Sequence, residues 1–206
     1  MDTKHQILTK AESLFMRYGI KSVTMDDLAR EMGMSKKTLY QYVSHKADLI
    51  ENIFQLKIEE EQKMMAQYKA ESTDAIDEIL KIARHVIREL RQFSPSVMYD
   101  LQKYYRSTYR QMEAFHTRHI IKMIRENIER GMEEGVYRSN LSPDILSKLY
   151  VAKSALVADQ ELFPLQQYNI EQLFKEHIIY HIYGVASPKG LRIFEKYLED
   201  KQGEID

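Results

Sequence analysis

The sequence predicts an all-α protein of about ten helices, on three observations. Breakers are scarce, with seven Gly and four Pro in 206 residues, while strong helix formers abound, so long segments can propagate. Apolar residues recur at spacings of three and four, the period of a helix stripe, instead of alternating as in a strand. Ser or Thr stands before several stripes and Gly after several, the polarity expected of helix caps. An apolar content of 44% is enough for a sizeable core.

The elements follow in order. Ile7, Leu8, Ala11, Leu14, Phe15 and Tyr18 share one stripe of a first helix, which Gly19 ends as a left-handed residue. Thr24 caps a second helix with Asp27 three places on, a capping-box variant that also sets carboxylates at the helix's positive end. Leu28, Ala29 and Met32 face inward there, and Gly33 closes it. Ser35 caps a third helix whose inward pair is Leu39 and Val43, and a fourth begins near His45 and carries Leu49, Ile50, Ile53, Phe54 and Leu56. In "STDAIDEILKIARHVIRELRQF" the cap is Ser72 or Thr73 and the stripe is Ile76, Ile79, Leu80, Ala83, Ile87 and Leu90. "SPSVMYDLQKYY" places Pro95 in a first turn. From about Ser107 to Glu134, Met112, Phe115, His119, Ile120, Met123, Ile124, Ile128 and Met132 define a long helix that stops near Gly135. "LSPDILSKLYVAKSALVADQELF", "NIEQLFKEHIIYHIYGV" and "GLRIFEKYLED" supply three more.

Residues Met25 to Val43 fill every role of a helix-turn-helix. Two short helices crossing steeply need a small contact residue, a turn residue tolerant of positive φ and apolar wedges on both sides. Ala29, Gly33 and the group Leu28, Met32, Met34 and Leu39 supply them. The outward side of the second of these helices then carries Lys36, Lys37, Thr38, Tyr40 and Gln41, with Tyr42 and Lys46 beyond it. Lys and Gln can bond base edges, Thr offers a methyl or hydroxyl, and Ser, Tyr and Lys hold phosphates. Backbone N–H groups at Ser35 favour a phosphate as well. The charge balance agrees only locally. Residues 1–50 hold eight Lys and Arg against six Asp and Glu, while the whole chain is at −1.

The string "AESLFMRYGIKSVTMDDLAREMGMSKKTLYQYVSHKADLI" resembles the DNA-binding domain of the TetR family of bacterial transcriptional regulators, strongly over residues 7–54. It follows the pattern A-x-x-L-F-x-x-x-G, T-x-x-x-[IL]-A, G-[VM]-S-x-x-T-[LI]-Y-x-[YH]-F-x-x-K-x-x-L, with Val43 where Phe is usual and Lys37 where small residues are common. The resemblance implies a DNA-binding domain over residues 1–46 and a ligand-binding and dimerisation domain over 47–206, the fourth helix linking them. It implies that Thr24, Ser35, Thr38, Tyr42 and Lys46 hold the DNA backbone, and that Lys36, Lys37, Tyr40 and Gln41 lie nearest bases or adjacent phosphates. It also implies a repressor released from its operator by a small-molecule effector.

The remainder carries no transferable motif. In "LYVAKSALVA" the apolar residues Leu149 to Val151, Ala152 and Ala155 to Ala158 cover almost the whole circumference, so the helix needs burial on two sides. One side is expected in its own subunit and the other on a second copy, through Ala155, Phe174, Ile178 and Ile182. A homodimer would carry two recognition helices to successive major grooves about 34–36 Å apart or a multiple of that, on a roughly palindromic double-stranded DNA operator. Met98, Tyr99, Leu101, Tyr104, Tyr105, Tyr109, Met112, Phe115 and His116 form an aromatic cluster with hydroxyl tips, suited to an apolar effector needing a few directed hydrogen bonds.

Other classes find little support. The chain has no cysteine, which removes thiol catalysis, disulfides and zinc–cysteine sites. The start has no apolar run of signal-peptide length and no segment reaches the roughly 18 apolar residues of a membrane span, so the cytoplasm is expected and no membrane partner. His177 and His181 sit four apart and His116 and His119 three apart, but without H-E-x-x-H no metal is expected. No phosphate loop or nucleophile elbow is present, so neither an enzyme nor a cofactor is expected. The competing reading is a helical protein-interaction adaptor with no DNA role.

Overall fold

The structure is a computed structural model that describes residues 2–91, 94–157, 159, 161–164 and 166–200. The described residues form ten helices: α1 (Thr3–Tyr18), α2 (Met25–Glu31), α3 (Lys36–Leu39), α4 (Lys46–Glu71), α5 (Ala75–Arg91), α6 (Pro95–Tyr104), α7 (Arg106–Glu133), α8 (Pro143–Val157), α9 (Ile170–Val185) and α10 (Pro188–Asp200). None is long and apolar enough to cross a membrane. Gln92, Phe93, Ala158 and Gln160, which the sequence patterns included in helices, lie outside the described residues. The chain divides into two compact units, Met1–Lys63 with Phe93–His116, and Met64–Gln92 with Thr117–Asp206. The first unit thus extends past residue 46 and takes in α6 and the start of α7.

In the first unit Ile7, Leu8, Ala11, Leu14 and Phe15 of α1 meet Leu28 and Ala29 of α2, Leu39 of α3, Leu49 and Ile50 of α4, and Leu101 of α6. Tyr18, expected on the inward stripe, is half exposed instead, with the Arg17 guanidinium 5.1 Å from its ring centre. Gly19 has φ 81 and its N–H closes α1 on the Phe15 carbonyl at 2.8 Å.

The second unit is built around α5, whose Ile76, Ile79, Ala83 and Ile87 are fully buried. They share a core with Ile124 and Ile128 of α7, Tyr150 of α8, Phe174, Ile178 and Ile182 of α9, and Phe194 of α10. The cap of α5 is Asp74, not Ser72 or Thr73: its Oδ1 accepts from the Ile76 and Asp77 N–H groups at 2.9 Å each. Ser72 turns back and donates to the Tyr68 carbonyl. Arg130 ties this corner together. Its Nη1 donates to Glu78 Oε2 at 2.8 Å and its Nε to Glu134 Oε1 at 2.7 Å, while Glu134 Oε2 accepts from the Ala75 N–H at 2.8 Å. Glu78 is 2% exposed, a depth at which a carboxylate needs such a partner.

His177 and His181 belong to this core. The Tyr150 ring centre lies 4.7 Å from that of His177 and 4.9 Å from that of His181. His177 Nε2 sits 3.0 Å from Ser154 Oγ, and His181 Nε2 is buried without a hydrogen-bond partner among the described residues. Burial lowers the pKa of His177 to about 4 and of His181 to about 3, with Lys153 and, for His181, His177 adding to it.

Candidate nucleic-acid interface

The hairpin of α2 and α3 is assembled from bonds that reach only a few residues. At its entry, Thr24 Oγ1 accepts from the Asp27 N–H at 3.1 Å, and Asp27 Oδ2 accepts from the Thr24 N–H at 2.9 Å and its hydroxyl at 2.6 Å. These bonds from Thr24 hold the Asp27 carboxyl below its ordinary pKa. At the turn, Gly33 has φ 64. Its N–H donates to the Arg30 carbonyl at 3.1 Å and the Met34 N–H to the Ala29 carbonyl at 3.0 Å, the paired bonds of a Schellman motif. Ser35 Oγ then accepts from the Thr38 N–H at 3.0 Å and starts α3.

Only Lys36–Leu39 is regular helix. Beyond it the chain tightens, the Gln41 N–H donating to Thr38 at 3.1 Å and the Tyr42 N–H to Leu39 at 3.0 Å, bonds of the 3₁₀ type. So short a piece stays folded because Leu39 and Val43 beneath it are buried, at 0% and 2% exposure. Above them Ser35, Lys36, Lys37, Tyr40 and Gln41 are exposed, while Thr38 and Tyr42 are half-buried, Tyr42 resting against the first unit's core.

The two lysines at the start of α3 differ. Lys36 Nζ donates to Asp26 Oδ2 at 3.0 Å, which raises its pKa and spends part of its charge on tying α3 to α2. Lys37 has no ion-pair partner among the described residues. Lys46 requires a correction. Expected on a phosphate, its half-buried ammonium turns inward, donates to the Ile20 and Val23 carbonyls and lies 5.7 Å from the Phe15 ring centre. Desolvation lowers its pKa, against the attraction of Asp100 and Asp27. The reason is accounting of the backbone: those two loop carbonyls need a donor, and Lys46 is the cation placed to reach both.

The other expected residues separate. Of the aromatic cluster, Tyr105, Tyr109 and Met112 pack against the first unit's core, Met98 and Phe115 are half-buried, and Tyr99 and His116 are exposed. Tyr99 accepts from Lys103 Nζ at 2.6 Å, and His116 lies 3.4 Å from Glu61. Of the residues expected on a second copy, Ala155 is exposed, but Phe174, Ile178 and Ile182 are not available. With Val185 they are the stripe by which α9 enters its own core. The apolar groups left outside are Ile145, Leu149 and Leu156 of α8 and Tyr180 and Tyr183 of α9, all at least 47% exposed. Two acids at this site escaped the sequence reading, Asp26 beside Lys36 and Asp100, whose Oδ2 accepts from the Lys21 N–H at 2.7 Å. Neither spacing, ten residues in one case and 79 in the other, corresponds to a local motif.

Comparison with known proteins agrees with this geometry. Residues 7–53 match the model of the bacterial regulatory proteins of the tetR family. The uncharacterized HTH-type transcriptional regulator YvaF of Bacillus subtilis (strain 168) is 25% identical over 162 residues, 78% of this chain and 83% of that protein. Among solved structures, a transcriptional regulator from Cytophaga hutchinsonii ATCC 33406 superposes with a TM-score of 0.76 at 15% identity, over 89% of this chain and 98% of its own. SmeT, the repressor of the Stenotrophomonas maltophilia multidrug efflux pump SmeDEF, superposes with a TM-score of 0.70 at 14% identity, over 91% and 92%. The capped α2–α3 hairpin lies at the residues that match the family model, so residues 7–53 form a DNA-binding domain of the tetR family, within an all-helical chain that shares the fold of solved transcriptional regulators.

Proposed function

We propose that this regulator is a repressor that holds a roughly palindromic operator as a homodimer and releases it when a small-molecule effector binds. The observation that carries the DNA half is the sidedness of the α3 segment, with Leu39 and Val43 buried and Ser35, Lys37, Tyr40 and Gln41 exposed. Ser35, Thr38 and Tyr42, with Thr24 at the start of α2, are assigned to phosphates. Lys37, without an ion-pair partner among the described residues, and Gln41 are assigned to base edges, with Lys36 and Tyr40 beside them. The likeness to SmeT, a repressor by its description, supports repression as the direction of control.

The dimer surface is assigned to the exposed stripe Ile145, Leu149 and Leu156 of α8 with Ala155, Tyr180 and Tyr183 beside it. An apolar stripe on a helix already packed on its other side calls for a second partner. Two copies joined by a two-fold axis present two hairpins, which is why a palindromic operator follows. An effector that favours a different arrangement of the dimer lowers DNA affinity by its differential affinity for the two states.

The deciding experiment is salt-dependent retardation of the DNA upstream of the protein's own gene. Lys37→Ala is expected to weaken binding and relax sequence preference, with the salt slope little changed. Tyr42→Phe is expected to weaken binding across sequences. Unchanged affinity in both variants overturns the contact assignment, and no retardation of any DNA by the wild type favours an adaptor. A wild-type monomer by sedimentation, or a dimer that survives Leu149→Glu with Leu156→Glu, overturns the interface.

A further inference from the structure

We propose that Asp100 is a positioning residue for DNA binding, one that holds the α1–α2 loop from α6 and so sets where the α2–α3 hairpin begins; the proposal rests on the DNA-binding reading above. The loop from Gly19 to Val23 leads directly into Thr24, the cap of α2. Its polar backbone groups must find partners, and three of them find side chains from distant parts of the chain. The Lys21 N–H donates to Asp100 Oδ2 at 2.7 Å, and the Ile20 and Val23 carbonyls accept from Lys46 Nζ. Ile20 and Val23 are themselves buried, so the loop is anchored by its side chains on one side and by these two charged groups on the other.

Asp100 is only 8% exposed, and carboxylates are rarely buried to that extent without a partner. It is attracted there by the Lys21 N–H and by the charges of Lys46 and Lys21, whose pKa values respond to it. One helical turn further on, Tyr104 accepts from Lys21 Nζ at 2.9 Å. Leu101, next to Asp100, lies in the first unit's core and seats α6 against it. The loop also comes close to the carboxylate at Gly19, where an added Cβ would stand 3.4 Å from Asp100 Oδ2. Asp100 therefore grips the backbone just before the hairpin without lying on the hairpin's outward face. Losing it frees the loop, lets the capping box at Thr24 shift, and spreads the hairpin over orientations of which only some fit a groove.

The test uses the full-length protein with the DNA duplex upstream of its gene, in the variants Asp100→Ala, Asp100→Asn and Tyr104→Phe. A charged-group hydrogen bond of this kind predicts a loss of about tenfold or more in DNA affinity for Asp100→Ala. The salt slope is expected to stay at the wild-type value, because no phosphate contact is removed. Asp100→Asn retains a carbonyl oxygen for the Lys21 N–H and is expected to regain most of the affinity, while Tyr104→Phe stays near wild type. In hydrogen exchange, the Lys21 amide of Asp100→Ala is expected to lose protection while α9 keeps its own. If Asp100→Ala fails to fold, Asp100→Leu removes the acceptor without opening a cavity, and the same two measurements apply to it. Wild-type affinity, a reduced salt slope, or a Lys21 amide still protected without the carboxylate each overturns the proposal. Absence of DNA binding by the wild type would instead strike the DNA-binding reading, and the exchange measurement would still report on the grip.

Discussion

The hairpin of the first unit and the core of the second are held by bonds of opposite reach. In the hairpin of the first, Thr24 with Asp27 and Ser35 with Thr38 bond over three residues, and Gly33 turns the chain through its own backbone. In the second, Arg130 reaches Glu78 across 52 residues, Glu134 reaches the Ala75 N–H across 59, and the Tyr137 hydroxyl reaches the Ala75 carbonyl across 62. Short bonds define a shape that presents side chains; long bonds hold together helices that have no shape in common until they pack. The contrast implies that a single substitution should unsettle the second unit more than the hairpin, and that hairpin substitutions should register in DNA affinity before they register in stability.

Arg130→Ala should show the largest effect. It leaves Glu78 buried without its cation, which costs about 3–5 kcal/mol, to be read from urea unfolding. A loss of under about 1 kcal/mol, no more than a surface pair, would erase the contrast between the units. Acid should act next, again on the second unit. His177 and His181 are buried neutral, so between their folded pKa values, about 4 and about 3, and the ordinary value near 6.5 the unfolded chain holds more protons than the folded one. Stability therefore rises with pH across that window, is complete above it, and falls by about 1.4 kcal/mol per pH unit for each histidine on acidification. His181→Leu, which also removes an unpartnered buried nitrogen, should flatten the acid limb without lowering stability at neutral pH. An acid limb as steep as the wild type's would show that His181 does not titrate this way. Gly33→Ala should show the smallest change in stability, about 1–2 kcal/mol, because φ is 64 while an added Cβ meets nothing within 4 Å. Gly33→Asn should recover most of it, since Asn tolerates the left-handed region. If Ala and Gly prove equally stable there, and bind DNA equally, the turn is not set by that torsion.

Much of this was legible beforehand, for an identifiable reason. The helix stripes, the Thr24 and Ser35 caps and the glycine turn all depend on residues within one or two turns of each other, and the sequence shows those together. Where local signals tie, the reading failed: Ser72, Thr73 and Asp74 are all able to cap α5, and only the start of the helix against Glu134 selects Asp74. Lys46 is a surface cation in any one-dimensional reading, and becomes a loop anchor only because the Ile20 and Val23 carbonyls fold over it.

The sequence by itself determined the all-α class, the order of the helices, the hairpin and the side chains on its outward face, because helical period and capping are short-range physics. Tertiary structure alone decided ownership. An apolar face does not say whose core it will enter, so Phe174, Ile178 and Ile182 went to the chain's own interior and Ile145, Leu149 and Leu156 were left outside. It also decided which charges are engaged: Lys36 and Lys46 are held by groups ten to 26 residues away, while Lys37 has no ion-pair partner among the described residues. A charge's partner is set by distance in space, and that distance exists only once the helices have packed.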